Sequence, residues 1–327
     1  MGARQRAVLA LDIGGTKLAV GVVTGDGRSH GFLVEPTRTE EGPDAVLRRL
    51  FDLGARSIDL VRDQGVTAPV DAVGISCGGP LDARNGVLLS PLHLPGWTRV
   101  PIVELAAARF GVPAALENDA SAAAFGEYRF GAGRGTETML YLTVSTGVGG
   151  GAVLNGRLHR GAAGNGGEFG HICVDPAGPR CLCGRNGCLE IVASGTSIAR
   201  RANEELAAVA EPSALRALTR VRAEDVSAAA AAGDPLSTRV WAGTVAALVS
   251  AITDLVNVFE PDAVVLGGGV TRSGDLLLDP VRSGVLAAAM PPAAAAVRIQ
   301  LAELGDRVGV VGAAAIALDL AKEPARV

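Results

Sequence analysis

The sequence predicts an α/β protein built from two similar halves. Residues 7–23 read as a strand, a Gly-Gly-Thr turn and a second strand, and residues 138–157 repeat this order around Thr146-Gly147. Elsewhere, short apolar runs typical of buried strands alternate with helix-like runs. An internal duplication is a stronger sign of fold than either copy alone. We therefore expect two α/β lobes that face each other across a cleft.

Composition excludes several classes of function. The 327 residues suggest about two domains, and the net charge of −4 gives no sign of a clustered basic surface for nucleic acid. The N-terminus does not resemble a leader peptide, and the cysteines read mainly as metal ligands and free thiols, which favours a reducing cytoplasm.

Residues 240–259 are long enough for a membrane span. Asp254 and several hydroxyl groups interrupt that run, so we expect a buried helix.

Each half is expected to alternate strands with helices. The hairpin signal Gly25-Asp26-Gly27 returns the chain for a third strand, and apolar residues at helical spacing follow. After the first two strands, further strands are predicted at 29–35, 72–76, 113–116, 263–266 and 297–302. Helices are predicted at 42–64 and 102–110, directly after Ser121 as far as about residue 128, and at 194–206, 214–218, 227–232, 237–259 and 309–320.

Glycine turns at strand ends are candidate nucleotide contacts. Gly14-Gly15-Thr16 has little side-chain bulk, so its backbone N–H groups and the Thr16 hydroxyl can face a phosphate. Asp12 can hold Mg²⁺ directly or through water, and Lys17 is one of two lysines in the chain. Considered alone, this turn is equally well an ordinary hairpin. Gly267-Gly268-Gly269 permits the same close approach of a ligand, or is a plain strand-to-helix turn.

Glu117-Asn118-Asp119 lies between a predicted strand and a predicted helix. A general base at Asp119 would lie at the end of the strand, where ligands of α/β sheets bind, and the helix dipole would keep it ionised near neutral pH. The alternative is that Asn118 or Asp119 is only the N-cap of the helix. The loop Cys77–Asp82 is a candidate wall of the same pocket.

His171, Cys181, Cys183 and Cys188 form a complete ligand set for tetrahedral Zn²⁺. No position is left open, so this zinc would be structural. The alternative is four unrelated buried residues, but three cysteines within eight positions among glycines favour the metal. The zinc would fix Glu168, His171 and Glu190 around one pocket.

Six motifs together resemble those of the ROK family, which comprises bacterial sugar kinases and related repressors on the duplicated actin/hexokinase (ribonuclease H-like) fold. The resemblance spans Ala7 to Leu320, and the cysteine-rich stretch is its most specific part. Two residues depart from the family pattern. Many members have Asn at the position of His93, and members often have Asn at the position of Ser121. The motifs begin at Asp12, Glu117, Ser145, Glu168, Cys181 and Gly267.

The resemblance implies a role for each candidate residue. Asp119 is similar to the catalytic base, which takes the proton of a sugar hydroxyl as that hydroxyl attacks the γ-phosphate of ATP. One ring nitrogen of His171 would bind zinc and the other would face the sugar. The implied sugar ligands are Gly79, Asn118, Asp119, Glu168, His171 and Glu190. The implied nucleotide contacts are Asp12, Gly14, Gly15, Thr16, Lys17, Thr146, Gly147, Gly267, Gly268 and Gly269.

The implied function is phosphorylation of glucose at its 6-hydroxyl, with ATP, Mg²⁺ and a structural Zn²⁺. The alternatives are the same reaction on N-acetylglucosamine, N-acetylmannosamine, fructose or allose, and polyphosphate as a second donor. A sugar-sensing repressor is disfavoured because six residues precede Ala7, too few for a helix-turn-helix module.

The domain organisation follows from the same resemblance. We expect a small lobe of residues 1–116 with a C-terminal helix at about 306–327, and a large lobe of residues 117–305 that carries the zinc loop. The Ala-rich helices favour a homodimer or a higher homo-oligomer. The expected partners are a small-molecule sugar and ATP, without nucleic acid or membrane, in the cytoplasm.

Overall fold

The computed structural model describes residues 6–64 and 69–320. These residues form two compact units with separate hydrophobic cores. The first unit contains the chain up to Arg134, the segment Arg160–Gly166 and the chain from Glu303 onward, and the second contains Gly135–His159 and Gly167–Ala302. The lobes expected from the sequence, residues 1–116 with a helix at about 306–327 and residues 117–305, stay a prediction.

Strands and helices alternate along both units. The strands are β1 (Ala7–Ile13), β2 (Lys17–Thr24), β3 (Ser29–Pro36), β4 (Val70–Cys77), β5 (Leu81–Asp82), β6 (Val87–Leu88), β7 (Ala114–Asn118), β8 (Met139–Val144), β9 (Val148–Leu154), β10 (Arg157–Leu158), β11 (Ala263–Gly267) and β12 (Arg298–Leu301). The helices are α1 (Pro43–Asp63), α2 (Ile102–Phe110), α3 (Asp119–Phe130), α4 (Leu189–Ala193), α5 (Gly195–Ala208), α6 (Ala223–Ala231), α7 (Pro235–Phe259), α8 (Asp275–Ala288), α9 (Pro291–Ala296) and α10 (Val308–Leu320).

The sheet of the first unit has the strand order β3-β2-β1-β4-β7. Strands β1 to β3 form an antiparallel meander, whereas β4 runs parallel to β1 and β7 parallel to β4. Strand β1 is buried on both faces, because Leu9 and Leu11 pack in the cluster that includes α1, while Val8 and Ala10 pack against α10. This explains the continuous apolar run of β1, which is typical of a strand covered by helices on both sides.

The sheet of the second unit repeats this arrangement in the order β10-β9-β8-β11-β12. Strands β8 to β10 are antiparallel neighbours, and β11 and β12 join parallel to β8. Two sheets with the same topology confirm the duplication predicted from residues 7–23 and 138–157.

Helix α7 lies in the core of the second unit. By length and composition it is the one helix among the described residues that is able to cross a membrane. Leu248, Ala251 and Ile252 are fully buried in the second unit's core, as the sequence predicted for this helix.

Helices α8 and α9, each of which contains a proline, were not predicted from the sequence. Pro291 stands at the first helical position of α9, where the missing N–H has no partner in any case. Pro280 lies inside α8, which buries Leu277, Val281 and Val285 and so stays a helix through packing. Residues 214–217 form a 3₁₀ turn instead of the predicted α-helix.

Candidate active site

The carboxyl ends of β1, β4 and β7 meet at one edge of the first sheet, because these strands are parallel. Asp12 lies opposite Ser76, and Ser76 lies opposite Glu117. Asp119 begins α3 directly after the last residue of β7. The fold thus brings Asp12, the loop after β4 and Asp119 to the same edge.

Asp12 is held in a partly buried position at that edge. The Ser76 hydroxyl donates a hydrogen bond of 2.6 Å to Asp12 Oδ1. The start of α10 approaches so closely that a Cβ on Gly309 would lie 2.3 Å from Asp12 Oδ2. Burial raises the pKa of Asp12 to about 6, against the lowering effect of the Ser76 hydrogen bond. The negative charge of Asp119 acts in the same direction as burial.

The first glycine turn is fixed by its neighbours. The Gly14 N–H donates to the Lys17 carbonyl at 3.0 Å, and the Thr37 hydroxyl donates to the Gly14 carbonyl at 2.6 Å. A Cβ on Gly15 would lie 2.6 Å from His93 Cβ, so only glycine fits there. The Thr16 and Lys17 side chains are exposed and remain accessible to a ligand.

Asn118 and Asp119 have different roles at the start of α3. Asn118 is the N-cap, since its Oδ1 accepts the Ala120 and Ser121 N–H groups at 3.0 and 3.2 Å. The Asp119 side chain is open to solvent, yet the protein around it raises its pKa by desolvation, which outweighs the lowering hydrogen bond from Ala120. This shift is opposite to the helix-dipole effect expected from the sequence.

The loop after β4 lies beside these two residues. A Cβ on Gly78 would lie 3.7 Å from Asp119 Oδ2, and one on Gly79 would lie 4.0 Å from Asn118 Nδ2. The Leu92 N–H donates to the Gly79 carbonyl at 3.1 Å. Within the first unit, therefore, Gly79, Asn118 and Asp119 lie close to one another.

The second glycine turn lies between β8 and β9 and is supported by Glu190. The Val148 N–H donates to Glu190 Oε2 at 3.0 Å, and a Cβ on Gly147 would lie 2.5 Å from the same oxygen. The Thr196 hydroxyl donates to the Thr146 carbonyl at 2.9 Å. Glu190 was expected only as a sugar ligand, but it also supports this turn.

The third glycine turn lies against the second. Gly268 has φ +94°, and a Cβ there would lie 2.4 Å from the Val144 carbonyl oxygen. A Cβ on Gly269 would lie 3.7 Å from the Ser145 hydroxyl. The second unit thus brings together two of the three glycine turns that the sequence assigns to nucleotide binding.

Glu168 is the N-cap of a 3₁₀ helix, Phe169–His171, which ends with His171 and packs on β9. A Cβ on Gly170 would lie 2.0 Å from the Val148 carbonyl oxygen, while the Val148 N–H binds Glu190. The 168–171 turn and Glu190 therefore both contact Val148.

The predicted metal ligands form one cluster. The ligand atoms of His171, Cys181, Cys183 and Cys188 all lie within 4.8 Å of one another. His171 Nδ1 is 3.7 Å from Cys181 Sγ, and Cys183 Sγ is 3.5 Å from Cys188 Sγ. Thiolates bound to one tetrahedral Zn²⁺ are separated by about 3.8 Å, so the donor set and its spacing fit zinc. Because Nδ1 faces the cluster, Nε2 of His171 is left for another partner.

Sequence reasoning missed two supporting contacts. Ser76 holds Asp12, and the buried Glu117 carboxylate accepts a hydrogen bond of 2.6 Å from Arg160 Nε. The only local sequence signal for a role of Ser76 was its position as a polar residue at the end of a buried strand. Nothing in the local pattern pairs Glu117 with Arg160.

Comparison with known proteins supports one family. The ROK family matches residues 8–320. The glucokinase of Thermotoga maritima is 36% identical over 320 residues, which covers 94% of this chain and 96% of the relative. The N-acetylmannosamine kinase of Citrobacter koseri is 35% identical over 311 residues, with 95% and 98% covered.

A solved structure agrees with this assignment. The ROK family glucokinase from Streptomyces griseus, in complex with glucose and AMPPNP, matches with a TM-score of 0.75 at 33% identity, over 96% of this chain and 99% of that one. The fold is accordingly the actin/hexokinase-like fold expected from the duplicated sheets. From this match and the nearly full-length relatives above, the chain belongs to the ROK family.

Proposed function

We propose that this chain, an ATP-dependent sugar kinase, transfers the γ-phosphoryl group of ATP to the 6-hydroxyl of glucose with Asp119 as general base. The observation that carries the proposal is the strand-end edge of the first sheet, where Asp119 lies beside Gly78 and close enough to Asp12 for their charges to interact. Phosphoryl transfer depends on positioning and charge neutralisation more than on covalent chemistry.

Asp119 suits the role of base for two reasons. Its side chain is accessible, and its desolvated carboxylate has a raised pKa, so it accepts a proton more readily than an ordinary aspartate. Its Oδ1 is bound to the Ala120 N–H, which fixes its orientation and leaves Oδ2 for the sugar hydroxyl.

The glycine turns would hold the nucleotide. Backbone N–H groups near Gly15 and Gly147, with the Thr16 hydroxyl and the Lys17 ammonium, would neutralise the phosphates. Mg²⁺ bound with ATP would add charge neutralisation, with Asp12 as its protein contact. Gly267, Gly268 and Gly269 would accommodate the adenosine, because they offer no side-chain obstruction.

The sugar hydroxyls require several acceptors at fixed positions. Asn118, Glu168, Glu190 and Nε2 of His171 would provide them, with Gly79 as a wall. A structural Zn²⁺ on His171, Cys181, Cys183 and Cys188 would keep the 168–171 turn ordered. We further propose that the enzyme is cytoplasmic and a homodimer or higher homo-oligomer.

N-acetylmannosamine is the second candidate substrate. The relative named for that activity is 35% identical to this chain, almost as similar as the glucokinase relative at 36%. His93, which replaces an expected Asn beside the first glycine turn, also bears on which sugar fits.

A coupled ADP-release assay with ATP and Mg²⁺ tests both candidates across glucose, mannose, fructose, allose, N-acetylglucosamine and N-acetylmannosamine. We expect glucose to give the highest kcat/KM. A higher value for N-acetylmannosamine would favour the second candidate, and the absence of ADP release with all six sugars would refute a kinase acting on these substrates.

A further inference from the structure

Glu117 is a buried carboxylate next to the proposed catalytic residues. It is 1% exposed, whereas its neighbour Asp119 is open to solvent. Its Oε2 accepts a hydrogen bond from Arg160 Nε at 2.6 Å, and its Oε1 accepts the Asn118 N–H at 3.1 Å. One carboxylate thus binds both Arg160 and the peptide that leads to the helix start.

Arg160 comes from a different part of the chain. The chain on both sides, Gly135–His159 and Gly167–Ala302, belongs to the second unit, but Arg160–Gly166 belongs to the first. The Gly166 N–H donates to the Arg160 carbonyl at 2.9 Å and closes this segment into a loop. Glu168, a proposed sugar ligand, follows two residues later. The Arg160 guanidinium is therefore an ionic contact that holds this loop to the first unit.

From these contacts we propose that Arg160 and Glu117 form a positioning pair, which couples the loop leading to Glu168 to the strand end that carries Asn118 and Asp119. This rests on the proposed function of those three residues. Without the Arg160 guanidinium, the buried Glu117 carboxylate loses its counter-charge and is no longer held in this position. The oxygen that accepts the Asn118 N–H can then shift, and the loop loses its anchor.

The test compares Arg160→Met with Arg157→Met, an exposed arginine of β10 three positions earlier. Both proteins are assayed for kcat, for KM of sugar and of ATP, and for thermal unfolding. We expect Arg160→Met to raise the sugar KM roughly tenfold and to lower kcat, because small misplacements of reacting groups are costly. The KM for ATP should stay within about twofold of wild type, and Arg157→Met should resemble wild type in all three constants.

A purely structural role would give a different result. In that case Arg160→Met would lower the melting temperature and leave both KM values and kcat unchanged, and this outcome would overturn the proposal. If Arg160→Met does not fold, Arg160→Lys replaces it, since lysine keeps the charge without the guanidinium geometry.

A double-mutant cycle isolates the pair itself. In the Glu117→Gln background, Arg160→Met should have little further effect on kcat/KM for the sugar, because the interaction is already lost. Fully additive effects would show that the two residues act separately. Wild-type turnover in the same assay tests the proposed function on its own, so a failure of that function is distinguished from a failure of the pair.

Discussion

Asn118 and Asp119 are adjacent in the chain but have different tasks. The Asn118 carbonyl oxygen caps α3, and its amide nitrogen lies toward Gly79. Asp119 uses one carboxylate oxygen for the Ala120 N–H, and the other lies beside Gly78. The N-cap and the candidate base are therefore two residues, and a substitution can remove one without the other.

Asp119→Asn tests the base directly. The amide keeps the size of the side chain but cannot accept the hydroxyl proton, so we expect kcat to fall by roughly 10² to 10⁴. Glucose affinity measured by calorimetry should change only severalfold. Asp59→Asn, on the exposed face of α1, is the control. Near-normal turnover of Asp119→Asn would rule out Asp119 as the base.

Asp12 should make folding stability depend on pH. Its folded-state pKa of about 6 lies above the usual aspartate value of about 4, so the folded state binds more protons between these two pH values. The charged carboxylate consequently costs stability above this range, and this cost disappears as the pH falls below about 4.

We expect Asp12→Asn to raise the free energy of unfolding at pH 7.5 on the order of 2 kcal/mol, with a smaller gain at pH 5. Urea unfolding without Mg²⁺ or nucleotide measures this difference, and activity should fall at the same time. An equal loss of stability at both pH values would show instead that the hydrogen bond from Ser76 outweighs desolvation.

At the scale of elements, the cysteine cluster lies between two peptide segments, the 168–171 turn and the start of α4. The Val174 N–H donates to the Gly187 carbonyl, and the Leu189 N–H donates to the Ile172 carbonyl, both at 2.8 Å. These bonds link the 168–171 turn to the start of α4, which carries Glu190. Loss of the cluster is therefore expected to affect both proposed sugar-binding elements together.

Removal of zinc should weaken sugar binding. Metal analysis of protein purified without chelator should find about one Zn²⁺ per chain. Cys183→Ser or chelation should lower glucose affinity about tenfold or more, because the turn loses its cross-link. Cys173→Ser is the matched control, since Cys173 lies beside the cluster but is not a member of it. Zinc-free protein with full sugar affinity would contradict this prediction.

At the scale of the whole molecule, the two units have separate cores, and each contains one of the two tryptophans. Trp97 is 1% exposed in the first unit, and Trp241 is 4% exposed in the second. Two cores of this kind need not unfold in one cooperative step. The tryptophans provide a separate fluorescence signal for each unit.

Single-tryptophan variants can therefore locate the effect of the metal. In Trp241→Phe the fluorescence reports the first unit, and in Trp97→Phe it reports the second. We expect chelation to lower the urea midpoint of the Trp97→Phe protein by a measurable amount and to leave that of Trp241→Phe nearly unchanged. Equal shifts in both proteins would mean that the units unfold as one.

The sequence was informative wherever a feature depends on neighbouring positions. Alternation and helical spacing predicted most strands and helices, and the repeat around Gly14 and Gly147 predicted two sheets of one topology. The clustering of His171, Cys181, Cys183 and Cys188 was predicted because cysteines so close together in sequence are rarely independent. In α8, packing of apolar side chains overrode the local signal of Pro280.

Only the tertiary structure decided the contacts between residues distant in sequence. Ser76 is hydrogen-bonded to Asp12, Arg160 to Glu117, and Glu190 to the turn that contains Gly147. None of these pairs leaves a periodic pattern in the sequence. The tertiary structure also determined that desolvation, rather than the helix dipole, sets the direction in which the pKa of Asp119 is shifted. The physical reason is that helix dipoles and caps follow from local sequence, whereas desolvation depends on every atom that folding brings near the carboxylate.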